Sequence, residues 1–152
     1  MVEISIKYLG DLRCEATHGP SGTTLLTDAP VDNEGRGEAF SPTDLTATSL
    51  GTCMLTIMGI VARRHSVNLG ETTVKAVKHM STEPPRRIAK LEIVFTIPLP
   101  SDHPQRKLLE AAAKGCPVHL SLPVDIMFSS FPADAGREER PYLRSATPPP
   151  RA

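Results

Sequence analysis

At 152 residues, the chain has the length of one domain, or of two small layers sharing one core. Its 17 Lys and Arg balance 17 Asp and Glu, and no basic stripe appears, which argues against binding to a phosphate backbone. Aromatic residues make up 4% and Trp is absent, so the core must be mostly aliphatic, and the thin aromatic complement argues against stacking on nucleic-acid bases.

The opening stretch alternates from its second residue: Val2, Ile4, Ile6 and Tyr8 against Glu3, Ser5 and Lys7, a half-buried strand. No charged region leads into an apolar one there, so no signal peptide is expected and the expected compartment is the cytoplasm. Gly10-Asp11 turns the chain into a second strand with Leu12, Cys14 and Ala16 on one face. After a turn at residues 18–22, Thr23 to Thr27 reads as a third short strand, completing an antiparallel meander. Residues 28–40 form a polar, Gly-rich loop long enough to suggest a functional role.

The next segment predicts a helix. Ser41 suits the N-cap, Pro42 the first helical position, and Asp44 closes a capping-box spacing at the positive end of the dipole. Leu50, Cys53, Met54, Ile57, Met58 and Val61 recur on one face, while Ser49, Thr52, Thr56 and Gly59 make another face of small side chains. The helix ends near Arg63-Arg64. Its apolar run, broken by Asp44, Thr and Gly, reads as too polar to span a bilayer, so no membrane partner is expected.

Glu71 to Met80 and Arg87 to Ile97 read as a hairpin turning at Pro84-Pro85, with Leu91, Ile93, Phe95 and Ile97 on one face. A helix over residues 104–114 turns Leu108, Leu109 and Ala112 inward and stops at Gly115. A short helical turn starts at Pro117, and Val124, Ile126 and Phe128 alternate into a last strand. Residues 1–131 thus read as a single domain and 132–152 as a flexible tail rich in Pro and Arg. The order βββ-α-ββ-α-β predicts an α+β fold with antiparallel sheets. A central helix buried nearly all round needs more cover than one chain supplies, and an intertwined homodimer would provide it.

The candidate chemistry is thiol chemistry. Cys53 sits mid-helix on an apolar face, where a Cys is by default a small core hydrophobe. Reactivity there needs a cationic or hydrogen-bonding neighbour, since lowering a thiol pKa from about 8.5 to about 6 raises the thiolate share at pH 7 from roughly 3% to roughly 90%. Cys116, just before Pro117, lies at a helix start, where backbone N–H groups favour a thiolate; its alternative reading is a packing residue at a tight turn. Cys14 reads as a packing residue. No Cys-x-x-Cys or His-x-x-x-His pair suggests a metal, and no Gly-x-Ser-x-Gly suggests a serine hydrolase.

Three stretches resemble the OsmC/Ohr family of thiol-dependent peroxidases. Ser41-Pro-Thr-Asp-Leu-Thr-Ala-Thr-Ser-Leu-Gly-Thr-Cys53 resembles its acid-containing helix start and peroxidatic Cys. Ala113-Lys-Gly-Cys116-Pro-Val118 resembles its resolving-Cys turn. Lys7-Tyr-Leu-Gly-Asp-Leu-Arg13 resembles the strand that brings an Arg to the site. The resemblance spans roughly residues 2–131. It implies an OsmC-like domain forming a homodimer with sites at the subunit interface, and reduction of organic hydroperoxides, or less well of hydrogen peroxide. Cys53 would become a sulfenic acid, Cys116 would resolve it as a disulfide, and an external dithiol, possibly of lipoyl type, would reduce that bond without metal, flavin or haem. Where the family places Glu ten residues before the Cys, this chain has Thr43 with Asp44 beside it, a position about 100° around the helix. Asp44 is therefore either a partner for Arg13 or a helix cap. The alternative function is a non-enzymatic dimer binding an apolar small molecule in a cavity beside Cys53.

Overall fold

The computed structural model describes residues 1–130, so the expected tail and the last residue of the expected domain lie outside the described residues. The chain divides into two compact units, Met1–Thr48 and the residues from Ser49 onward, the division falling within the long helix α1, Pro42–Arg64.

In the first unit, strands β1 (Ile4–Gly10), β2 (Arg13–His18) and β3 (Thr24–Thr27) pair antiparallel in the order β1-β2-β3. Leu12 falls in the β1–β2 turn rather than in the strand, because Gly10, Asp11 and Leu12 all take positive φ; its amide bonds the Tyr8 hydroxyl at 3.3 Å. The register sets Tyr8 across from Cys14 and Thr27, and Ile6 across from Ala16 and Leu25. Directly opposed residues share a face, so one side of this sheet is a run of apolar side chains. Ile4, Ile6 and Tyr8 on it are exposed at 58%, 70% and 63%. The loop after β3 is tied by Asp28 N–H to Phe40 O (3.1 Å) and Gly37 N–H to Ala29 O (3.2 Å). Only glycine fits at position 35, where a Cβ would lie 1.7 Å from the Ala29 carbonyl oxygen.

In the second unit, β4 (Thr73–Met80) and β5 (Ile88–Thr96) form the expected antiparallel hairpin, and β6 (Asp125–Ser130) pairs with β5. That last pairing is parallel, which corrects the expectation of antiparallel sheets throughout while leaving the α+β class intact. Parallel neighbours need a crossover of a dozen or more residues, and α2 (Arg106–Lys114) with α3 (Pro117–Ser121) supplies it. The predicted face of β5 is the core: Leu91 and Ile93 are fully buried, and Phe95 and Ile97 nearly so.

Helix α1 buries a stripe of Leu50, Met54, Met58 and Ala62, with Gly51 beside it. Cys53, Ile57 and Val61, expected on that stripe, are half-buried, and Ser49, Thr52 and Thr56 are exposed. One chain thus covers one side of the helix. Gly51 permits close approach to β4, since a Cβ there would meet Val74 Cγ1 at 3.3 Å. By length and mean hydropathy, 1.7 over its most apolar window, α1 is apolar enough to cross a bilayer, which corrects the composition-based expectation. What assigns it to the core is its packing: Leu50, Met54 and Met58 have no exposed surface.

Candidate active site

The inward stripe of α2 is Leu109 and Ala113, not Leu108 and Ala112; Leu108 is 37% exposed. Positions 109, 113 and 116 follow the i, i+4, i+7 pattern of one helical face, so the stripe runs on to Cys116. The helix stops there for a proline reason. Gly115 keeps an ordinary negative φ (−83°), whereas Cys116, preceding Pro117, is pushed to extended backbone (φ −67°, ψ 144°). Cys116 thereby becomes the N-cap of α3, its sulfur accepting from the His119 N–H at 3.3 Å.

Cys116 is fully buried, and Cys53 lies close enough to interact with it electrostatically. Burial pushes the Cys116 thiol up from its ordinary pKa. The N–H groups of His119 and Val118 oppose that shift, while the hydrogen bond and negative charge of Cys53 add to it. All three cysteines are free. The arrangement sets Cys116 apart as the fully buried thiol that caps a helix start, while Cys53 is half-buried on α1.

Arg13, Asp44 and Cys14 belong to the first unit. Arg13 opens β2, and its Nη2 lies 3.5 Å from Asp28 Oδ2 and also bonds Glu38. The Asp28 side chain is fully buried, and its Oδ2 accepts from the Glu38 N–H at 3.0 Å. That backbone bond is the main reason the Asp28 carboxyl sits below the ordinary carboxylate range; desolvation opposes it, and the Arg13 charge and the Arg36 amide add to it. For Arg13, desolvation pulls the guanidinium down, but Glu38 and Asp28 together hold it above its ordinary value. Arg13 Nε and Asp28 Oδ1 are buried without a hydrogen-bond partner. Asp44 forms the capping box: its Oδ2 accepts from Ser41 N–H (2.8 Å) and Ser41 Oγ (2.7 Å), and its own N–H donates to Ser41 Oγ (3.2 Å). Cys14 lies on the apolar face of the sheet, opposite Tyr8.

Asp28 and Glu38 were not singled out by sequence; the only signal was the long loop between them. Among the described residues, no group of three or more His, Cys, Asp and Glu could hold a metal ion. A cavity of about 650 Å³ opens at the start of α2 and is lined by Asp102, His103, Arg106, Lys107, Glu110 and Phe128, a charged lining away from the thiol pair.

The family model described as OsmC-like protein matches residues 35–129. The chain belongs to the OsmC/Ohr family. The matched stretch contains Asp44, Cys53 and Cys116, with Arg13 upstream of it. A Psychrobacter arcticus structure assigned to osmotic stress induction and detoxification response is 44% identical, with a TM-score of 0.78, over 86% of this chain and 95% of that one. Two OsmC/Ohr structures share the fold at 17% identity and 86% coverage of this chain. An organic hydroperoxide resistance protein OsmC from Legionella pneumophila has a TM-score of 0.69 over 96% of its length. An organic hydroperoxide resistance protein from Elizabethkingia anophelis has 0.68 over 94%. Comparison with curated protein sequences returns no match.

Proposed function

We propose that this OsmC/Ohr protein is a thiol peroxidase that reduces organic hydroperoxides, and hydrogen peroxide less well, with the Cys53/Cys116 pair. The observation that carries the reading is the proximity of two free thiols, Cys53 half-buried on α1 and Cys116 fully buried at the start of α3. In the first step the Cys53 thiolate attacks the peroxide: the O–O bond breaks, a sulfenic acid forms, and the alkoxide leaves as an alcohol after taking a proton. In the second, the Cys116 sulfur attacks Cys53. The S–S bond forms as the S–O bond breaks, and hydroxide departs with the Cys116 proton as water. An external dithiol, of lipoyl type in our reading, then regenerates both thiols by exchange.

A cycle of this kind needs a reducing compartment, which supports the cytoplasm as its location. The names of the related hydroperoxide resistance structures support the substrate class. The working form in this reading is a homodimer, supported by the uncovered apolar face of the first sheet. Arg13 and Asp44 enter as the resemblance implies, and Arg13→Ala is expected to slow the first oxidation.

Mass spectrometry after one equivalent of cumene hydroperoxide tests the proposal. The wild type should yield a Cys53–Cys116 disulfide. Cys53→Ser should consume no peroxide, and Cys116→Ser should react once and then over-oxidise to sulfinic acid in excess peroxide. A wild type without the disulfide, together with a Cys53→Ser variant that reacts as fast, would overturn it.

A further inference from the structure

The turn that presents Cys116 contains a histidine that the proposed cycle leaves unused. Helix α2 ends at Lys114, whose carbonyl is one of the four at a helix C-terminus with no partner in the helix. The chain ahead is poorly placed to bond it. Pro117 has no N–H, and the N–H groups of Val118 and His119 both face the Cys116 sulfur. The His119 imidazole fills the gap, its Nδ1 bonding the Lys114 carbonyl. A carbonyl only accepts, so Nδ1 carries the proton. The other end of Lys114 is also held, its ammonium 5.0 Å above the Phe128 ring, which packs on Phe95 at 5.3 Å.

His119 therefore grips the turn twice. Its amide holds the sulfur and its ring holds the last turn of α2, with Gly115 and Cys116 between them. The geometry points to His119 as the positioning residue for the resolving step, the clamp that keeps the Cys116 sulfur on the line toward Cys53. The inference rests on the thiol-pair reading above. Without the ring bond, the turn is tied to α2 only through the backbone bonds of Gly115 and of Cys116, whose N–H reaches Ala113 O at 3.2 Å, and α3 beyond them gains freedom. The S–S bond still forms as the S–O bond breaks, but from a broader range of sulfur positions.

Rapid-mixing kinetics on the full chain separates the two steps. In His119→Leu, oxidation of Cys53 by cumene hydroperoxide should keep its wild-type rate. Disulfide formation should slow by about tenfold or more, the scale set by losing a near-attack geometry, and sulfinic acid should accumulate. His119→Asn, whose side-chain N–H occupies the Nδ1 position, should restore the second step. His119→Gln, whose N–H lies one atom further out, should not. The same variants equilibrated between reduced and oxidised dithiothreitol, a measurement that needs no peroxide, should show the disulfide about tenfold less favoured in Leu and Gln, equivalent to about 30 mV. If the wild type ignores peroxide, the peroxidase reading fails, yet the dithiothreitol series still decides the clamp. Wild-type resolving rates and equilibria in His119→Leu, or equal behaviour of Asn and Gln, would overturn it.

Discussion

Asp28 is a buried carboxylate whose charge is stabilised mainly by a backbone amide. Its folded pKa is depressed, so the stability it contributes is fully present above its unfolded value of about 3.9 and is lost as pH falls through the folded value. The melting temperature of Asp28→Asn should therefore lie below wild type at neutral pH, with the gap closing in acid below about pH 4. A gap that stays constant down to pH 2 would mean that the carboxylate's charge is not what matters. The two thiols, by contrast, were legible in the sequence, because Cys53 and Cys116 each sit in a recognisable helical context. Asp28 and Glu38 were not, because a buried acid facing a cation on a neighbouring strand leaves no local pattern. Asp44 had two readings, and its bonds to Ser41 realise the cap.

At the scale of elements, the contact between α1 and β4 depends on the absence of a side chain at position 51. Gly51→Leu would drive a side chain into Val74 and should destabilise the protein by about 1–3 kcal/mol, the usual range for overpacking. Urea denaturation measures this, and an unchanged midpoint would show that the helix can shift without cost. Strand β5 was legible because strict alternation states which face is buried. Alternation does not state which neighbour a strand takes or in which direction, so the parallel β5–β6 pair was missed; the helices between the two strands were the available clue. On α2 the expected inward set of Leu108, Leu109 and Ala112 was right for Leu109 alone, with Ala113 taking the place of the other two. Leu108, Leu109, Ala112 and Ala113 offer two adjacent faces of similar apolarity, and tertiary packing chose Leu109 and Ala113.

For the whole molecule, the open question is what covers the apolar side of the β1–β2–β3 sheet. Ile4, Ile6 and Tyr8 form one contiguous exposed apolar row, the kind of surface that can mark an interaction site. Light scattering at micromolar concentration should give a dimer, and Ile6→Arg, which places a charge in that row, should shift it toward monomer. A wild-type monomer would remove the dimer from the proposal. The parallel pairing of β6 has a consequence of another kind, in the time a chain takes to be made. Cys53 leaves the ribosome roughly 60 residues before Cys116, a lag of several seconds at about 5–20 residues per second. The crossover bearing Cys116 is fastened only when the still later β6 docks beside β5. A nascent chain thus carries Cys53 before it owns Cys116, so in the proposed cycle the sulfur that would meet oxidant is made before the sulfur that would rescue it.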